Sequence, residues 1–237
     1  MTDLPRITTE LRTPNSKLQI EGLFTHFAAA KNPAFPQDTK AQIEEFKVWV
    51  EAFKKEGFKT INHAAATAGT MLFLESHFDM VRVGIGLYGL WPAKEVEAFF
   101  GGKIILRPAL SWKTIIGEVK RIPKGSKVGY DLTETVLRDS TVAVCPVGYW
   151  HGFPRNLSSV GQVLVGGHRA KVLGRVSMDM MTIDITDVPN ISVEDEVVLI
   201  GKQGGVEISA PDVAYLADAS WYEVVTRLNP LIKRIYK

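Results

Sequence analysis

The chain has 237 residues, 46% of them hydrophobic and 23% charged, with 28 basic against 26 acidic side chains and a formal net charge of +2. That composition supports one large core or two smaller ones, and a near-neutral balance without long like-charge runs excludes the basic face expected of a nucleic-acid binder. A single cysteine, Cys145, excludes an intrachain disulfide, while the polar opening MTDLPRITTE and the lack of a membrane-length apolar run predict a cytoplasmic protein, neither secreted nor membrane-bound.

Residues 1–100 alternate strand and helix patterns. Gln19 to Phe27 (QIEGLFTHF) reads as a buried strand. From Gln42 to Glu56 the apolar residues Ile43, Phe46, Val50 and Phe53 share one helical face, and Gly57 closes the helix. Phe58 to His63 suits a second strand, Thr67 to Glu75 a short helix, and Asp79 to Leu87 (DMVRVGIGL) a third strand. Strands separated by helices pair in parallel through crossovers, as in doubly wound sheets and eightfold barrels. Three such strands alone would leave two open edges, so the segment reads as starting partway through a larger α/β domain.

After WPAKEVEAFFGGK the texture changes, and residues 101–237 form a second domain in this reading. Strand patterns fall at Leu110 to Val119, Thr141 to Val147, Gln162 to Val165, Ala170 to Val176, Met181 to Ile185 and Glu196 to Ile200. Turn sequences PKGS, GG and DVPN punctuate them, which predicts a mostly antiparallel β domain. Ser209 and Asp212 stand at capping-box spacing ahead of Val213 to Leu216, marking a helix start.

Several polar residues stand out against these patterns. His26, near the end of the first strand, suits either a hydrogen-bonded core histidine or a ligand-facing group. Arg82 interrupts an apolar strand and needs a partner, whether an ion pair or a ligand. Gly84 and Gly86 follow it, leaving backbone N–H groups open to close approach by an anion.

In order along the chain, EGLFTHFA (21–28), DMVRVGIGLYG (79–89), VGY (128–130), VGYWHGFPR (147–155), GRVSMD (174–179) and WYE (221–223) resemble blocks of the alanine racemase family. The resemblance implies an α/β-plus-all-β protein: the last three βα units of a (β/α)8 barrel binding pyridoxal 5'-phosphate (PLP), followed by a C-terminal β domain. It implies interconversion of L- and D-alanine for peptidoglycan, in a homodimer whose sites are shared between subunits. Block by block, Arg82 would face the PLP ring nitrogen, with His26 beside it. Thr67, the amides of Gly84 and Ile85, and Tyr222 would hold the phosphate. Tyr130 would be one of two bases, linked through His26 to Arg82 and acting in the partner's site. The Met178 amide would bind the substrate carboxylate, with Asp179 beside it.

The chain also departs from the family pattern. The block resembling VKANAYGHG, whose lysine is both the covalent PLP anchor and the second base, is not present, nor is the GMGRLG-type block with its substrate-binding arginine. The expectation is that a separately encoded or upstream part supplies them. Ala66 replaces a common Asn, and Trp150-His151 stands where Ala-Asp is common. Two other readings follow: a noncatalytic dimerization remnant, and a racemase of another small amino acid such as serine.

Overall fold

A computed structural model describes residues 4–11 and 18–236. The chain forms two compact units, residues 1–109 and 110–237. Among the described residues no helix is long and apolar enough to cross a membrane.

The first unit contains α1 (Leu4–Leu11), β1 (Gly22–Phe24), α2 (Gln37–Lys55), β2 (Ile61–His63), α3 (Thr67–Leu72) and α4 (Lys94–Phe100). β1 and β2 pair in parallel, Gly22 opposite Ile61 and Phe24 opposite His63. α2 lies over the pair: Ile43 and Phe46 from its apolar stripe are buried with Phe27, Ala64, Ala68 and Phe73. Burying side chains of this size stabilises by about 1.5–3 kcal/mol each. The helix starts at Gln37, five residues before the Gln42 expected from the sequence. Pro36 occupies the N-cap, its carbonyl accepts from the Lys40 N–H, and Asp38 sits in the first turn, where an acid complements the helix dipole.

The expected third strand is the main departure. Residues 79–87 make one isolated parallel bridge, Ala66 to Arg82, with the Arg82 N–H donating to the Ala65 carbonyl at 2.9 Å. The chain then leaves the strand conformation at Gly84 (φ −107°, ψ −85°) and turns into a 3₁₀ segment, Ile85–Tyr88. The N–H groups of Gly84 and Gly86 are committed to the Thr67 hydroxyl instead of a ladder. The first strand is likewise only three residues long, because Phe27 turns into the core under α2.

The second unit is built on β3 (Trp112–Ile115), β4 (Glu118–Ile122), β5 (Lys127–Val128), β6 (Glu134–Thr135), β7 (Ser140–Cys145), β8 (Gln162–Val165), β9 (His168–Leu173), β10 (Met181–Asp184), β11 (Glu196–Gln203) and β12 (Val206–Ile208). Eight of these form an antiparallel sheet in the order β12-β11-β8-β9-β10-β7-β4, with β3 paired to the other edge of β11. β5 and β6 form a separate two-stranded hairpin. Val163, Leu164 and Val165 are all fully buried, as are Val197, Val198 and Leu199, so these strands are covered on both faces. That explains their continuous apolar runs.

The segment 110–119 is two strands, since the Gly117 N–H donates to Val144 and the chain changes neighbour there, from β11 to β7. α5 (Ala210–Leu216) carries the expected capping box, with Ser209 and Asp212 bonded reciprocally. α6 (Trp221–Thr226) follows, capped by Ser220.

Candidate active site

In the first unit the ends of β1 and β2 converge on one side chain. The Arg82 guanidinium donates through Nη2 to the Thr25 carbonyl at 2.8 Å, the Ala64 carbonyl at 3.0 Å and His26 Nδ1 at 3.2 Å. Through Nη1 it donates to the His63 carbonyl at 3.1 Å and to His63 Nδ1. A guanidinium only donates, so both imidazoles accept at Nδ1 and carry their proton on Nε2. Burial, and then the Arg82 charge, push the His63 pKa down, keeping that ring neutral near pH 7. Burial also lowers the Arg82 pKa, but a guanidinium starts far too high to lose its charge.

The Phe24 ring stacks on His63 at 5.5 Å and lies 5.7 Å under the guanidinium carbon, a cation–π contact that fixes the plane of the arginine. These bonds occupy both terminal nitrogens. Nε–H is the donor they leave over.

His63 is the site residue that sequence reasoning passed over, reading it only as the end of the second strand. Its signal was readable: it ends β2 as His26 follows the end of β1, so two strand-end histidines flank one strand-interrupting arginine.

Thr67 opens α3 and is buried. Its Oγ1 accepts from the N–H groups of Gly84 at 3.2 Å and Gly86 at 3.3 Å. A Cβ on Gly86 would come within 2.9 Å of the Thr67 methyl carbon, so the close approach requires glycine there. Gly84 borders open space, with no atom within 4 Å of where a Cβ would stand. The Gly84 N–H expected to face an anion is thus turned to Thr67, while the hydroxyl proton of Thr67 stays available. Ile85 opens the 3₁₀ segment, where the first N–H groups find no partner within the turn.

The other candidates belong to the second unit. Tyr130 is 70% exposed, on the loop joining β5 to β6. The residue before it, Gly129 (φ +83°), lies against Gly174 (φ +67°): a Cβ on Gly129 would stand 2.5 Å from the Arg175 nitrogen, and one on Gly174 2.5 Å from the Val128 carbonyl. The VGY and GRVSMD segments therefore meet backbone to backbone, and Asp131 adds an ion pair to Arg175 at 3.2 Å.

Ser177 to Met180 forms a tight turn. The Ser177 N–H and hydroxyl donate to the Met180 carbonyl, and the Met180 N–H donates to Ser177 Oγ. The carbonyls of Ser177 and Met178 accept from the Tyr149 and Trp150 N–H groups. These bonds use neither the Met178 nor the Asp179 N–H. Tyr222 lies half-buried in α6, and burial raises its phenol pKa.

His151, in the segment where Ala-Asp was expected, accepts from the Gly148 N–H at 3.2 Å and so closes its own turn. Cys145 is fully buried with its pKa pushed up to about 12 by desolvation, which removes it as a nucleophile. Among the described residues no group of histidine, cysteine and carboxylate side chains could hold a metal.

Fold and site together define a two-part protein. An α/β unit gathers one arginine and two histidines at its strand ends, and an antiparallel β unit carries an exposed tyrosine and a turn with open amides. The chain belongs to the alanine racemase family. The model of the alanine racemase C-terminal domain matches residues 109–236, and that of the N-terminal domain matches residues 2–92.

An alanine racemase of Symbiobacterium thermophilum is 43% identical over 220 residues, 92% of this chain and 57% of that protein. The structure of alanine racemase from Streptomyces coelicolor superposes with a TM-score of 0.87 at 33% identity, covering 100% of this chain and 61% of that one. The enzyme from Bartonella henselae, solved with covalently bound pyridoxal phosphate, superposes at 0.81 with 27% identity over 100% of this chain and 62% of its own. The chain thus spans about three-fifths of the length of these relatives.

Proposed function

We propose that these 237 residues work as part of a PLP-dependent alanine racemase, an isomerase that interconverts L- and D-alanine and supplies D-alanine for peptidoglycan. In this reading the first unit is the last three βα units of a (β/α)8 barrel, with the domain division near residue 100, and the lysine-bearing block comes from polypeptide outside this sequence. The enzyme is a cytoplasmic homodimer with sites shared between subunits. The observation that carries the reading is Arg82, fixed by three carbonyls and two histidines with its Nε–H left over.

The residues present fit the cofactor. Nε–H of a permanent cation suits a pyridine nitrogen that stays unprotonated. The Thr67 hydroxyl proton and the Ile85 N–H, beside the open space at Gly84, suit phosphate oxygens, and Tyr222 would add a phenol donor. Bound PLP supplies the electron sink that acidifies the substrate Cα–H.

Racemization needs a proton-carrying group on each face of Cα. Tyr130 Oη takes that role on one face, in the partner's site, and the lysine outside these residues takes the other. The Met178 N–H receives the substrate carboxylate, with Asp179 beside it. Alanine is preferred over serine on the strength of the relatives' activity.

The test is coexpression with a VKANAYGHG-bearing part, assayed by alanine racemization in both directions. Tyr130→Phe is expected to cost on the order of 100-fold or more in kcat. An unchanged rate would remove Tyr130 as a base, and no racemization by the complete assembly would favour a noncatalytic dimerization module.

A further inference from the structure

We propose that Glu134 is a positioning residue for Tyr130, holding the short hairpin that carries the phenol against β9. This rests on the reading of Tyr130 as a proton-transfer group.

Tyr130 is poorly anchored by itself. Its ring is 70% exposed, and the hairpin that presents it has two residues in each strand, paired Lys127 with Thr135 and Val128 with Glu134. A hairpin of that length is not stable alone. The two residues after Tyr130, Asp131 and Leu132, both sit in the left-handed region (φ +58° and +53°), where a side chain with a Cβ is disfavoured. The tip will relax unless something outside it opposes the strain.

Beyond the packing of Val128 on Val136, Val142 and Leu173, three contacts hold the tip. The first is the close backbone fit of Gly129 on Gly174. The second is the Asp131–Arg175 pair, but the Asp131 side chain is 72% exposed, and a pair so open to water holds weakly. The third is Glu134. Its side chain is only 17% exposed and receives the ammonium of Lys171, on β9, at 2.8 Å. Burial alone would raise the Glu134 pKa; the bonds from Lys171, Ser159 and Gly174 outweigh it and hold the carboxyl below its ordinary value. Ser159 in turn donates its N–H to the Gly174 carbonyl at 3.1 Å. Lys171 stands three residues before Gly174, the glycine that abuts Gly129, so the ion pair ties the hairpin carrying Tyr130 to the strand that leads into that contact.

Glu134→Gln keeps the shape and removes the charge. In the full chain, amide exchange over residues 128–133 is expected to speed up about tenfold, with β7 to β10 unchanged. In the complete racemase kcat should fall about tenfold with KM for alanine nearly constant. The isotope effect from α-deuterated alanine should rise only in the direction in which Tyr130 takes the proton. Lys171→Met, which removes the partner ammonium and leaves Glu134 in place, should give an effect of the same direction and stands in if Glu134→Gln fails to fold.

Isotope effects that rise alike in both directions, with faster exchange throughout the β unit, would make Glu134 merely structural and overturn the proposal. Wild-type rates and isotope effects in both variants, where Tyr130→Phe is inactive, would overturn it while leaving the racemase reading intact. A fully active Tyr130→Phe would remove that reading, and this proposal with it.

Discussion

Replacing Arg82 by lysine preserves the charge and tests whether geometry matters. The guanidinium serves five acceptors: the carbonyls of Thr25, His63 and Ala64 and the Nδ1 atoms of His26 and His63. An ammonium has three donors on one tetrahedral atom and cannot span both strand ends, so at least two acceptors lose their protein donor. A hydrogen bond to a charged group is worth about 1.5–3 kcal/mol when buried, and water will replace part of that in this half-open site. Arg82→Lys should therefore destabilise the first unit by about 1–3 kcal/mol. Hydrogen exchange by mass spectrometry reads this locally: residues 22–27 and 61–66 should lose protection while the sheet of the second unit keeps it. Unchanged protection at those strand ends would refute the idea that Arg82 ties them together.

Two further outcomes follow from the same contacts. The folded-state pKa of His63 lies below its ordinary 6.5, so the unfolded chain binds the extra proton. The resulting stability is complete above about pH 6.5, declines as pH falls toward the folded value and levels off below it; thermal melts from pH 7.5 to 5 should show a slope that His63→Asn reduces, and identical slopes would contradict the sign. Gly174→Ala places a Cβ 2.5 Å from the Val128 carbonyl at φ +67° and should cost about 2–4 kcal/mol in urea unfolding of the β unit, whereas a loss below about 0.5 kcal/mol would mean the two backbones separate freely.

The β unit was the more legible in sequence. Strands such as β8 and β10 are short apolar runs between turn residues, and both fall where those runs lie. β5, β6 and β12 escaped notice because two or three residues carry no periodicity. In the α/β unit, local composition misled at residues 79–87. Val81 and Val83 favour extended backbone, but the Thr67 hydroxyl captures the two glycine N–H groups that follow, and no pattern in DMVRVGIGL encodes a bond to a residue 17 positions earlier. Arg82 was visible as a break in an apolar run. His63 was less so, since its role depends on which strand end lies beside Arg82.

The connectivity of the large sheet sets an order of events for the nascent chain. β3 begins the second unit, yet its partner is β11, with Lys113 and Glu196 83 residues apart. Emerging from the ribosome, β3 has no edge to join until β11, well past the middle of the unit, has been made, while β8 and β9 can zip as a local hairpin. Until β11 arrives, Trp112, which is buried in the finished sheet, is left without its cover. The slow, aggregation-exposed interval of this protein's synthesis should therefore close only when β11 has been translated.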